Sequence, residues 1–172
     1  MKRAISFAVA LVAIGILLTA NPKPAVAPQG ADTGRKPALP QSAAEDPRKA
    51  KIERVDAYFT ERNMPLRGYG SEFVEVAERY GLDWRLLPAI AVRESSGGKQ
   101  ACGNNPFGWA SCRTDFDSTE KAIEHVGLNL GGENPRTAPY YKNKTTREKL
   151  WFYNGTVNPK YPDEVLDIME RF

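Results

Sequence analysis

Seven consecutive residues, Leu86-Leu87-Pro88-Ala89-Ile90-Ala91-Val92, carry no polar side chain, and they are followed at once by Arg93-Glu94-Ser95-Ser96-Gly97. A helix that is apolar on every side has no face to give to water, so it has to lie at the centre of a fold with other elements packed around it. Asp83 is expected to cap this helix and Ser95-Ser96-Gly97-Gly98 to end it. Pro88, near the start, removes one hydrogen bond and is expected to bend the first turn. Glu94 stands four residues after Ile90 and therefore on the same face, so its carboxyl emerges at the mouth of the core. There it is part-desolvated and sits at the negative end of the helix dipole; both effects favour the protonated form. The plainer alternative is a carboxylate that pairs with a nearby arginine or projects into solvent.

The remaining periodicity supplies the packing partners. Ile52, Val55, Tyr58 and Phe59 share one face of a first helix, stopped near Met64-Pro65. Ser71 is expected to cap a second, carrying Phe73, Val74, Val76, Ala77 and Tyr80 and stopped by Gly81. A further helix is expected from Asp117, with Glu120 reaching back, through Ala122, Ile123, Val126 and Leu130 to Gly131-Gly132. Thr145 and Glu148 repeat that capping spacing before Leu150, Trp151 and Tyr153. The last helix opens at Pro162 and carries Val165, Leu166, Ile168, Met169 and Phe172. Asn104 to Asp117 is irregular, with room for a short hairpin around Gly108. No alternating run is long enough for a sheet, so the expected class is mainly α: a helical domain over 48–172 with a buried central helix and at most a short hairpin.

The chain of 172 residues has room for extras before that domain. Lys2 and Arg3 precede an uncharged, apolar run from Ala4 to Ala20, and Ala25-Val26-Ala27 has the small-x-small form of a cleavage site. Pro28, just after it, would obstruct a peptidase. Residues 1–27 therefore read as a cleaved signal peptide or an uncleaved anchor, with 4–20 as the tether. A linker over 28–47 follows, in a Pro- and Ala-rich stretch containing Pro22, Pro24, Pro28, Pro37, Pro40 and Pro47. Either version of the leader exports the domain, so an extracytoplasmic location is expected. Outside the cytoplasm, Cys102 and Cys112, ten positions apart, are expected to form a disulfide. With a single histidine and no second cysteine pair a metal site is a poor reading, and no cofactor is expected.

Tyr80-Gly81-Leu82-Asp83-Trp84-Arg85-Leu86-Leu87-Pro88-Ala89-Ile90-Ala91-Val92-Arg93-Glu94-Ser95-Ser96-Gly97 resembles the catalytic helix of soluble lytic transglycosylases and goose-type lysozymes, within the lysozyme-like superfamily. Asn104-Asn105-Pro106-Phe107-Gly108-Trp109 is similar to that family's next segment, a glycine-containing turn lining the cleft, and also to the Asn-x-Phe-Gly turn of bacterial endo-β-N-acetylglucosaminidases. Trp151-Phe152-Tyr153-Asn154-Gly155, with Tyr161 and Val165 after it, resembles the later Tyr-Asn element. The three come in the family's order between Ser71 and the C-terminus. The usual Gly-Leu-Met-Gln-like run is replaced by Phe107-Gly108-Trp109-Ala110, and the Cys102–Cys112 pair looks like a local elaboration.

The resemblance implies cleavage of peptidoglycan glycan strands at the bond between N-acetylmuramic acid and N-acetylglucosamine. Glu94 would be the catalytic acid, and Ser95, Asn105, Phe107, Gly108, Trp109, Tyr153 and Asn154 would contact or line the substrate. A glucosaminidase cutting the other bond, and a silent wall-binding module, are the alternatives. Glycosidases generally use two carboxyl groups. Asp117 reads better as a cap and Asp115 as a solvated turn residue, which suits a scheme in which one glutamate serves as acid and then base. Phe107, Trp109, Tyr140, Tyr141, Trp151 and Tyr153 are candidates for stacking on sugar, with core packing favoured for Trp151. His125 reads as structural, and the Asn143 and Asn154 sequons as chance. The formal charge of +3 would suit an anionic wall polymer or a phospholipid surface, but bland proteins carry as much, and it decides nothing. A monomer with no nucleic-acid partner is expected.

Overall fold

Helices account for the regular structure of residues 46–172, which the computed structural model describes; among them there is no strand, only one isolated bridge between Cys102 and Asn105. The expectations for the leader, the tether over 4–20 and most of the linker fall outside the described residues. No helix among the described residues is long and apolar enough to cross a membrane.

Helix α1 spans Pro47–Glu61. It starts inside the stretch assigned to the linker: Asp46 accepts from the Arg48 N–H at 3.0 Å, and Pro47 sits at the first helical position, where its missing N–H costs nothing. α2 spans Gly70–Arg79. Its expected cap, Ser71, is exposed and makes no cap hydrogen bond; the N-terminus is held from outside instead, by Asp56 on α1. The Asp56 carboxylate accepts from the N–H groups of Gly68 and Gly70, both at 2.9 Å. Gly70 has to be small, because a Cβ there would stand 2.7 Å from the Ile52 carbonyl oxygen.

α3 spans Leu86–Ser95 and is buried continuously from Leu86 to Ala91, as an all-apolar helix requires. Burial of Leu86, Leu87 and Ile90 contributes roughly 1.5–3 kcal/mol each. Asp83 shapes the entry turn rather than capping the helix: its carboxylate accepts from the Arg85 N–H at 2.9 Å and from the Arg85 guanidinium. Pro88 falls in the first turn, where no N–H has an intrahelical acceptor, so no helical hydrogen bond is lost. Ser96, in the left-handed conformation at φ 55°, ends the helix.

α4 spans Thr119–Gly131, and Ser118, not Asp117, caps it, accepting from the Lys121 N–H at 3.3 Å. Gly127 faces α2 so closely that a Cβ would overlap Val76. Buried Asn129 fixes the exit from α4: it donates to the His125 carbonyl and accepts from Asn134 and Thr137. α5 (Ala138–Tyr141) and α6 (Thr146–Leu150) follow, the latter with the expected Thr145–Glu148 capping box. α6 runs on into a π-helical turn, Trp151–Gly155, before α7 (Tyr161–Met169), which packs against α3. The hairpin expected around Gly108 does not form. Gly108 is left-handed at φ 59° and leads into a 3-10 turn, Trp109–Cys112, in which Ala110, Ser111 and Cys112 are left-handed too.

Candidate functional site

The end of α3, the 107–111 loop and the π-helical turn converge on one groove of about 590 Å³, lined by Glu94, Phe107, Gly108, Trp109, Ala110, Ser111, Tyr141, Tyr153 and Asn154. Glu94 is the only carboxylate among these residues. It is the penultimate residue of α3, and burial raises its pKa, an effect partly opposed by Tyr161 and by the Arg93 charge. Its Oε1 is buried and has no hydrogen-bond partner. The Tyr161 hydroxyl, at the start of α7, is close enough to influence the carboxyl, yet it too is buried and outside hydrogen-bond geometry with any group. Arg93 is drawn away by an ion pair from its Nε to Glu164 at 2.8 Å. Glu94 is therefore not the carboxylate of an arginine pair that the plainer sequence reading allowed.

Gly108 brings the loop beside this carboxyl: a Cβ there would stand 3.6 Å from Glu94 Oε2, an ordinary contact, so space alone does not demand glycine. Its left-handed φ suits glycine. The loop is braced from within. Asn105 accepts from the Trp109 N–H at 3.1 Å and donates to the carbonyls of Trp109 and Thr114. Ser95 donates to the Pro106 carbonyl at 2.7 Å and accepts from the Gly98 N–H at 3.0 Å. Both side chains are buried and lie off the groove. Ser95 and Asn105, expected to contact substrate, are thus placed behind the groove wall, with their polar atoms hydrogen-bonded within the loop. Cys102 and Cys112 stand at disulfide distance, with Cα atoms 5.9 Å apart, and close the loop's outer edge.

Part of the lining is aromatic. The Trp109 ring lies 5.8 Å from Tyr153, which stacks on Tyr161 at 5.8 Å with planes 9° apart. The Tyr153 hydroxyl donates to the Phe107 carbonyl at 2.9 Å, tying the π-helical turn to the loop; burial pushes its pKa well up, so it stays protonated. Tyr141, pushed up to about 12 by burial, is likewise neutral. Phe107 contributes mainly backbone here, because its ring is in the core.

The structure thus brings Glu94, Phe107, Gly108, Trp109, Tyr153 and Asn154 together and leaves out Ser95 and Asn105. Asp115 and Asp117 are exposed and line no part of the groove. His125 packs against Trp109 and Phe116 at 5.5 and 5.3 Å, and burial lowers its pKa. Trp151 does not pack in the core as expected: it is 43% exposed, because the π-helical turn rotates it outward while Gly155 passes beneath its ring. Sequence reasoning missed Ala110 and Ser111, for which it held no signal, and the Arg93–Glu164 pair. No cluster of three or more His, Cys, Asp or Glu among the described residues could hold a metal ion. Compared with known proteins, the chain matches no family model, no curated protein and no solved structure.

Proposed function

We propose that this domain cleaves the β-1,4 glycan strands of peptidoglycan outside the cytoplasm, with Glu94 as the sole acid and base. One observation carries the reading: a part-buried carboxyl with a raised pKa, alone in an aromatic-walled groove. A carboxyl that keeps its proton can hand it to the bridging glycosidic oxygen as the bond breaks. Retaining enzymes that form a covalent intermediate hold a second carboxyl about 5–5.5 Å away, and inverting ones about 6.5–9.5 Å away. No second carboxylate lines this groove. The positive charge growing at C1 is then met by the substrate's own N-acetyl group, a substrate-assisted route. Glu94, now ionised, takes a proton from the attacking hydroxyl: the sugar's 6-hydroxyl for a 1,6-anhydro product, water for a reducing end. Trp109 and Tyr153 offer ring faces to pyranose C–H groups, and Asn154 offers an amide to the N-acetyl or hydroxyl groups.

Purified wall incubated with the protein is expected to release soluble fragments, and mass spectrometry of their ends reads the chemistry. Anhydro-muramic ends support transglycosylation and reducing muramic ends a lysozyme. Reducing glucosamine ends would move the cut to the other bond. Wall that is bound yet releases nothing would make the domain a binding module and overturn the enzymatic reading.

A further inference from the structure

Two aromatic rings beside the groove have no role in the site described so far. Tyr140, at the end of α5, is 52% exposed, and Phe152, in the π-helical turn, is 38% exposed; their centroids lie 5.7 Å apart. Leaving such rings partly in water forgoes apolar burial that a ligand could supply. Each is the immediate neighbour of a groove-lining residue, Tyr140 of Tyr141 and Phe152 of Tyr153. Their pairing is also built. Buried Lys149 on α6 donates from Nζ to the Leu130 carbonyl at 2.6 Å and to the Tyr141 carbonyl at 2.7 Å. That clamp fixes α5 against α6 and sets Tyr140 beside Phe152. A buried cation satisfied only by backbone carbonyls is a costly way to place a helix of one turn, which makes the placement of its residues specific.

We propose that Tyr140 and Phe152 form a stacking platform that receives a further pyranose ring of the same glycan strand, one that has passed beyond the groove. The inference rests on the function proposed above and names its substrate as a strand longer than the groove itself holds. Ring faces suit the C–H face of a β-linked sugar, and the continuity of both residues with the groove wall favours the strand itself over a second copy of this chain.

The test uses the full chain carrying Glu94→Gln, which holds glycan uncleaved. It is titrated calorimetrically with peptide-free strands of alternating N-acetylglucosamine and N-acetylmuramic acid, two and six sugars long. Adding Tyr140→Ala or Phe152→Ala is expected to weaken binding of the six-sugar strand about five- to tenfold and to leave the two-sugar fragment unaffected, whereas Tyr140→Phe, which keeps the ring, is expected to bind the six-sugar strand as the parent does. Equal losses at both lengths, or none at either, would overturn the platform while leaving the groove's function standing. Failure of the parent protein to bind either strand would overturn the platform together with that function. Loss of self-association in sedimentation, with strand binding intact, would assign the rings to an interface between copies and overturn the proposal.

Discussion

Replacing Glu94 with glutamine removes the one carboxyl that lines the groove, whose charged form burial disfavours, so the variant is expected to fold more stably than the parent at neutral pH. The sign follows from linkage. The folded-state pKa of Glu94 lies above its ordinary value of 4.5. Between those two pKa values the folded protein holds a proton that the unfolded chain has released, so parent stability falls as pH rises through that window. Below 4.5 the carboxyl is protonated in both states and the penalty vanishes. Each unit of such a shift corresponds to about 1.4 kcal/mol. The side chain remains partly open to the groove and the Arg93 charge opposes the shift, so solvent and Arg93 both limit the gain without reversing its sign. The glutamine amide also offers donors to a pocket holding the unpartnered Tyr161 hydroxyl. Thermal melts of parent and variant by circular dichroism, at intervals from pH 3 to 8, give the comparison. A stability difference that opens with rising pH is expected. A variant less stable at pH 7, or a gap that ignores pH, would refute the burial argument.

The Arg93–Glu164 pair should tune the same carboxyl in opposite directions. Glu164→Gln leaves the Arg93 charge unopposed, so the alkaline limb of the pH–rate profile moves to lower pH. Arg93→Gln leaves Glu164 unopposed and moves it to higher pH. A purely structural role would not give two signs. Asp56→Ala removes the acceptor for two N–H groups at the start of α2 and is expected to cost about 1–2 kcal/mol in urea unfolding. Converting Cys102 and Cys112 together to serine should cost roughly 2–3 kcal/mol from the loop-closure entropy returned to the unfolded chain, measured the same way.

Local signals carried well from sequence to structure, and non-local ones did not. The run from Leu86 to Val92 announces a central helix because an apolar cylinder has only one place to go. Thr145 and Glu148 announce a capping box because both partners lie within one turn. Ser71 misleads for the converse reason: the acceptor that serves the start of α2 is Asp56, more than a dozen residues upstream and on another helix. Most of the groove was legible through Glu94, Gly108, Trp109, Tyr153 and Asn154. Ser95 and Asn105 look like ligand contacts in a motif, and only the folded loop shows their hydrogen-bonding capacity already consumed by Pro106, Trp109 and Thr114. The left-handed run at Ala110, Ser111 and Cys112 contains no glycine, so nothing in the sequence marks it. Trp151 turns outward because its helix widens to π geometry, a change of pitch that periodicity does not encode.

The central claim is that the Glu94 proton breaks a glycosidic bond. Initial rates of solubilisation of purified peptidoglycan by the parent protein and by folded Glu94→Gln test it most directly. The account predicts steady release by the parent and a loss of at least about a hundredfold in the variant, the scale of a removed general acid. Equal rates for the two proteins would contradict it.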